Sequence, residues 1–255
     1  MLGRAMTATA PKLYASAGSH PCDAVAAALE LKSIDYERVN LLSMSQVLIG
    51  PLRYGGTTVP GMVIDNERLV GSRAIMRRLD ELVAEPALLP DPGDPRYARL
   101  LEIERWGDEV LQSVPRRIID VAFLRCPSAM ESYTAETGLP LPAALVRPTL
   151  PLFARLMALK NKASDAAARA DVAALPAQLE RIDGWIAEGL LGGEQPNAAD
   201  LQIGSTIRLL MSIGDVRPLI ADRAAAQLTR YFPTMVGEVP AGVLPAEWLA
   251  APVGA

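Results

Sequence analysis

The patterning of this chain predicts two domains, an α/β domain of order βαβαββα followed by an all-helical domain. Three observations lead there. The stretch Leu13-Tyr-Ala-Ser-Ala-Gly-Ser-His-Pro-Cys22 reads as a short strand, a tight turn and a helix opening at Pro21, where a missing N–H costs nothing. Asp65-Asn66 stands between two β-favouring runs, as a two-residue hairpin turn does. Beyond a proline-rich break, the apolar spacing turns helical almost throughout.

Taken in order, Lys12 to Ser16 is a short strand, and Pro21 to Lys32 is a helix with Val25 and Leu29 on one face. Asp35 to Leu41 is a second strand. Ser43 to Leu52 is ambiguous and fits a short helix capped by Ser43 or Ser45. Thr57 to Ile64 and Arg68 to Val70 form the hairpin. Ser72 then caps a helix striped with Ile75, Leu79, Leu82 and Val83. This domain spans 12–84. The segment 85–95 holds four prolines, one glycine and three acidic residues without periodicity, and is read as a linker. In the helical domain, 96–231, the expected helices are Arg96 to about Arg125, Leu141 to Lys160, Ala166 to Glu188, Ala198 to Ser212 and Val216 to Tyr231. Pro115 should kink the first, and Pro148 and Pro151 blur the start of the second. Asn197-Ala-Ala-Asp200 matches a capping box, with Ile203, Ile207 and Leu210 following on the buried face. Glu102, Glu104, Arg105 and Asp108 are expected on a solvated face or a subunit contact. The extension 232–255, rich in Pro, Gly and Val, should wrap the surface.

Composition excludes several function classes. The chain has 255 residues and a formal net charge of −4, with Lys and Arg scattered, so it carries no electrostatic footprint for nucleic acid. No apolar run reaches the ~18–20 residues of a membrane span. The segment Met1 to Ala10 has no apolar centre and reads as a loose tail rather than a signal peptide. Two distant cysteines, Cys22 and Cys126, form no disulfide framework and no metal-ligand spacing, which fits reduced thiols in a cytoplasm. A single histidine, His20, rules out a histidine-cluster metal site. No metal and no redox cofactor is expected.

The chemistry concentrates at the first turn. A helix N-terminus leaves N–H groups unpaired and carries partial positive charge, so it favours an anion such as a thiolate. Redox proteins of the thioredoxin type place Cys-x-x-Cys at such a junction, but here Ser19 takes the first position and Cys22 the second. A hydroxyl does not exchange with a disulfide; it donates a hydrogen bond to a sulfur anion brought by another molecule. Ser19 also reads simply as a helix cap, Cys22 as a buried small hydrophobe, and His20 as a solvated turn residue.

The element order of a thioredoxin-like domain followed by helices, together with three motifs, resembles the soluble glutathione transferase superfamily. Gly18-Ser19-His20-Pro21-Cys22 resembles the active-site turn of its serine-type members. That resemblance implies Ser19 as the catalytic donor to the thiol sulfur, with Cys22 and His20 as further candidates. Thr58-Val59-Pro60-Gly61 resembles the Val-Pro pair opening the third strand, which implies a cis Pro60 and a Val59 backbone that pairs with the cysteinyl part of glutathione. Val70-Gly71-Ser72-Arg73-Ala74-Ile75 resembles the Glu/Gln-Ser-Arg-Ala-Ile motif, whose serine and helix N-terminus hold the γ-glutamyl carboxylate. Gly71 stands where the family has an acidic or amide side chain, so one contact is missing. Adding Glu or Gln there should tighten glutathione unless Gly71 sits at positive φ. The resemblance implies an enzyme that binds glutathione or another low-molecular-weight thiol as co-substrate. It would conjugate the thiol to an electrophilic small molecule between the domains, in a detoxifying role and as a cytoplasmic homodimer. Positive mean hydropathy, +0.19, fits apolar surface covered by a second copy. Two alternatives stand beside it: a transferase-fold binding or regulatory protein without catalysis, and a thiol-dependent reductase working through Cys22.

Overall fold

The structure is a computed structural model that describes residues 10–42, 44–134, 146–235 and 237–249. Ser43 and the expected helix start at Leu141 lie outside them. The chain divides into two compact units between Leu89 and Pro90.

The first unit is thioredoxin-like. It runs β1 (Lys12–Ser16), α1 (His20–Leu31), β2 (Glu37–Leu41), α2 (Gln46–Arg53), β3 (Gly61–Ile64), β4 (Glu67–Val70) and α3 (Ser72–Leu82). The four strands form one mixed sheet in the order β2-β1-β3-β4. β1 pairs parallel with β2, Tyr14 opposite Val39, and antiparallel with β3, Tyr14 opposite Gly61. β3 pairs antiparallel with β4 from Gly61–Val70 to Ile64–Glu67. Asp65 and Asn66 both take positive φ, 51° and 64°, as a hairpin turn whose twist matches its strands requires.

Helices α1 and α3 pack together, and Leu13, Ala15, Val25, Leu29, Met62, Ile75 and Leu79 are fully buried. A second cluster gathers Tyr14, Leu41 and Tyr54, the two tyrosine rings 5.1 Å apart. The expected strand from Thr57 is shorter than its sequence pattern. Thr57 to Pro60 stay outside the ladder, which opens at Gly61. Helix α2 buries Gln46 and Gly50 while Leu48 and Leu52 are exposed, the reverse of the usual polarity.

Part of the expected linker is folded onto the first unit. Lys32 Nζ is buried, pairs with Asp80 at 2.8 Å and donates to the carbonyls of Val83 and Pro86. The Asp80 carboxylate in turn accepts the N–H groups of Leu88 and Leu89, and Leu88 is fully buried. A buried ammonium keeps its charge only where such acceptors surround it.

The second unit is helical: α4 (Tyr97–Trp106), a π-turn at Gly107–Leu111, α5 (Ser113–Arg125), α6 (Met130–Thr134), α7 (Leu150–Lys160), α8 (Asp165–Ala187), α9 (Ala198–Met211) and α10 (Ala246–Leu249), with short 3₁₀ turns between several of them. The expected helix from Arg96 to Arg125 breaks ahead of Pro115. That proline offers no N–H to Leu111 and crowds its carbonyl, so the backbone widens and Gln112 N–H reaches back to Gly107 O. Pro151 sits in the first turn of α7, after a 3₁₀ turn at Arg147–Thr149 that contains Pro148.

Helix α9 forms the centre of this unit. Asn197 and Asp200 make the reciprocal capping box, and Ile203, Ile207 and Leu210 are fully buried. Glu104, expected on a solvated face or a subunit contact, is instead fully buried within the chain. The helical period of α4 carries it inward beside Ile103 and Leu100, so the polar run misleads. Arg117 and Asp171 join α5 to α8 through two 2.6 Å bonds.

The expected helix from Val216 to Tyr231 is two 3₁₀ segments, Arg217–Leu219 and Ala224–Tyr231, with Arg223 extended between them. Asp183 of α8 draws out the link by accepting from Arg223 Nε and Ala225 N–H, both at 2.8 Å. The C-terminal extension is more than a surface wrap. Val239 bridges to Ile213, and Val239, Leu244 and Trp248 are buried. The Asp215 carboxylate binds the N–H groups of Gly242, Val243 and Leu244.

Two outcomes are expected. Asp80→Ala leaves Lys32 charged and buried and should lower stability by about 3 kcal/mol in urea unfolding, the scale of a broken buried pair. Burial pushes the Asp120 carboxyl up to about 6, against an Asn161 bond of 2.7 Å and the charges of Arg116 and Lys160. Its folded pKa thus lies above the unfolded value, so its stabilising contribution is complete below about pH 4 and is lost as pH rises toward 6. Asp120→Asn should therefore remove a pH-dependent loss of about 3 kcal/mol over that window, read by denaturant titration at each pH.

Candidate functional site

The sheet register brings three loops to one end of the first unit. β1 ends at Ser16, β3 begins after Pro60 and β4 ends at Val70; continuing the ladders by one step sets Ala15 beside Pro60 and Pro60 beside Gly71. The Gly71 N–H donates to Pro60 O at 2.9 Å, so the link between β4 and α3 is tied to the start of β3. The sequence-derived residues Ser19, Val59, Pro60, Gly71, Ser72 and Arg73 all lie on these three connections.

At the first connection Gly18 turns the chain with φ 67°, and Ser19 is the N-cap of α1. Ser19 N–H donates to Ser16 O at 3.2 Å, and Ser19 O accepts the N–H groups of Cys22 and Asp23. The side chain of Ser19 makes no capping bond to α1. It bonds instead with the Cys22 thiol, and the residue is half-buried. Cys22 is fully buried, and burial pushes its thiol up to about 11 despite the bonds from Ser19 and the Ser16 backbone. Such a thiol stays protonated at neutral pH and is a poor nucleophile. His20, expected in solvent, is buried as the first residue of α1. Helix packing against the sheet draws it inward.

At the second connection the Val59–Pro60 bond is cis. Val59 is half-buried and takes no part in the β3 ladder. At the third, Gly71 rather than Ser72 is the N-cap of α3, and Ser72 is its first helical residue, 3 % exposed. Arg73 is half-buried at the next position. Gly71 has φ 91° and ψ 143°, close to a region that L side chains rarely enter. A Cβ there would meet nothing within 4 Å, so space is open while the backbone resists a side chain. The condition on restoring a family residue at this position is therefore not met.

One residue near the site escaped the sequence reading. Tyr54 is fully buried, and its hydroxyl has no hydrogen-bond partner among the described residues. Burial raises its pKa, and the neighbouring Cys22 adds to the effect. The available signal was its spacing from glycines. A Cβ on Gly61 would lie 2.1 Å from the Tyr54 ring and one on Gly50 2.6 Å from its hydroxyl. Those glycines make room for the ring beneath the start of β3. Among the described residues no group of three or more His, Cys, Asp or Glu side chains is placed to hold a metal ion.

The arrangement offers a hydroxyl at a helix N-terminus, a segment outside the ladder at Val59 and a second helix N-terminus at Gly71-Ser72. Together they suit an extended ligand with an anionic group at each end.

Residues 13–87 match the family described as glutathione S-transferase, N-terminal domain. No curated protein sequence matches the chain. Among solved structures, FzlA from C. crescentus is similar with a TM-score of 0.57 at 17% identity, covering 88% of this chain and 86% of that one. A glutathione S-transferase from Rhodospirillum rubrum F11 gives 0.55 at 20% identity, covering 87% and 85%. Maleylacetoacetate isomerase from Anaeromyxobacter dehalogenans 2CP-1, with glutathione in its active site, gives 0.51 at 19% identity, covering 87% and 88%.

Because the Gly71 site has space but a backbone suited to glycine, Gly71→Gln should lower stability by about 1–3 kcal/mol. Chemical denaturation checks this. An unchanged midpoint would mean that the backbone relaxes at no cost.

Proposed function

We propose that the first unit of this chain, whose residues 13–87 match the glutathione S-transferase N-terminal domain family, binds glutathione or a close thiol analogue and promotes addition of the sulfur to an electrophile. The observation that carries this reading is the convergence of the Ser19 turn, the Val59–Pro60 segment and the Gly71-Ser72 helix start at one end of the sheet.

In this reading the thiol sulfur sits at Ser19, whose hydroxyl does not cap α1 and turns from the Cys22 thiol to the ligand sulfur. A free thiol with a pKa near ~8.5 is mostly protonated at neutral pH; a hydroxyl donor and a helix N-terminus favour the thiolate. The backbone of Val59 pairs with the middle of the ligand. The N-terminus of α3 receives the carboxylate at its far end, through backbone N–H groups and Ser72, because Gly71 adds no side chain. The burial of Cys22 favours this scheme over a reductase in which Cys22 attacks a disulfide. The electrophile is a small molecule whose identity rests with the helical unit.

A second reading, binding without conjugation, is favoured by the missing side chain at Gly71. The similarity to FzlA, which is not named as a transferase, is compatible with it.

Ser19→Ala separates the two readings. Removing one preorganised donor to an anion should lower conjugation of a dinitrophenyl halide at saturating glutathione by roughly ten-fold or more. Calorimetric titration of glutathione should still show binding to the variant. A wild-type protein that binds glutathione and leaves the halide untouched would support the non-catalytic reading; no glutathione binding at all would remove both.

A further inference from the structure

Helix α7 has two apolar faces, and only one of them is used by the core. Leu150, Ala154 and Ala158 recur every four residues and are buried, and the helix packs against α5. Leu152, Leu156 and Leu159 follow the i, i+4, i+7 spacing on the opposite side. They stand 60%, 40% and 78% exposed, with Phe153 beside them at 36%. Between Val146 and Ala163 the chain carries Arg147, Arg155, Lys160 and Lys162 and no acid, although its formal net charge is −4. Helical geometry sets Arg155 on one flank of the leucine stripe and Lys160 on the other. Arg155 and Lys162 are exposed and make no ion pair among the described residues. Of the neighbouring acids described, Glu131 pairs with Arg147 at 2.9 Å and Asp165 with Arg125 at 2.7 Å.

We infer that α7 is a docking surface for an anionic lipid membrane, lying flat on it with the leucine stripe at the acyl boundary and the cations among the headgroups. Leucine and phenylalanine on one side, flanked by lysine and arginine, is the composition of a helix that rests in a membrane interface. No helix among the described residues is long and apolar enough to cross a membrane, so α7 attaches without spanning. Its 11 residues extend about 16 Å, and a helix parallel to the surface presents the whole stripe at once. The cations choose this occupant over a second copy. A two-fold contact sets the same patch against itself, so Arg155 and Lys160 would meet cations of like sign, whereas an anionic surface attracts them. Because the chain as a whole is acidic, that attraction is confined to the basic segment and also orients the molecule. The stripe is already exposed, so docking requires no unfolding of α7.

Flotation of the full chain with vesicles of equal parts phosphatidylcholine and phosphatidylserine measures this directly. The protein should float with them at low salt, bind more weakly as salt rises, and stay behind when the vesicles are phosphatidylcholine alone. Leu152→Gln combined with Leu159→Gln should weaken binding about ten-fold or more, through lost apolar burial. Arg155→Gln combined with Lys162→Gln should weaken it by about the same factor, through lost attraction to the headgroups. All four side chains are exposed, so the urea midpoint should stay unchanged in both double variants. Leu48→Gln, on the exposed apolar face of α2, should bind as the parent does; a loss there instead would assign the contact to α2 and overturn the proposal. Equal flotation with phosphatidylcholine alone would overturn it too, since charge would then play no part. No flotation at low salt would also overturn it, leaving the stripe to an acidic protein partner. A leucine double variant that loses self-association in light scattering yet binds vesicles unchanged would give the stripe to a second copy.

Discussion

The hydrogen-bond ladder that joins β1, β3 and β4 is the constraint on which the candidate site depends. Its register is fixed by Tyr14 opposite Gly61 and by Gly61 opposite Val70, and a slip of one residue would turn every side chain to the opposite face. Burial on both faces makes such a slip costly: Leu13 and Met62 lie in the α1–α3 core, while Tyr14 packs on Tyr54. With the register set, the bond from Gly71 N–H to Pro60 O carries the pairing one step past the strands. The start of α3 and the segment before β3 are thereby held side by side. The Ser19 turn arrives at the same end because β1 runs antiparallel to β3.

Desolvation divides the labour between the two polar residues of the first turn. A thiol loses its ionised form when buried, and Cys22 is fully buried. Ser19 stands one helical turn earlier, where the chain is half-open to solvent. A hydroxyl donates without having to ionise, so burial costs it little of its capacity as a donor. Tyr54 closes the region from beneath, admitted by glycines at 50 and 61 that leave space for its ring.

Buried and half-buried charge shapes the rest of the molecule in a similar way. Lys32, Asp80, Asp183 and Asp215 each gather backbone groups that no regular element satisfies. Each therefore fixes an irregular segment: the chain after α3, the start of the last 3₁₀ turn and the approach to α10. Burying these backbone groups unpaired would cost more than any gain from packing the segments loosely. The polar side chains thus decide where irregular chain enters the core.

The sequence by itself determined the element order of the first unit, the hairpin at Asp65-Asn66 and the cap at Asn197, while Ser19, Val59-Pro60 and Gly71-Ser72 were picked out by their resemblance to family motifs. Local rules suffice there: turn chemistry, capping and periodicity act over a few residues. Tertiary structure alone decided what those rules cannot reach. Glu104 is buried because α4 turns that face inward, and His20 because α1 lies against the sheet. The chain after Val216 breaks at Arg223 because Asp183, some forty positions away, binds the Arg223 side chain and the Ala225 N–H. Gly71 holds a left-handed conformation because its N–H must reach Pro60 at the end of the neighbouring strand. In each case the deciding partner is distant in sequence, and pairing across that distance is set by the fold rather than by the neighbouring residues.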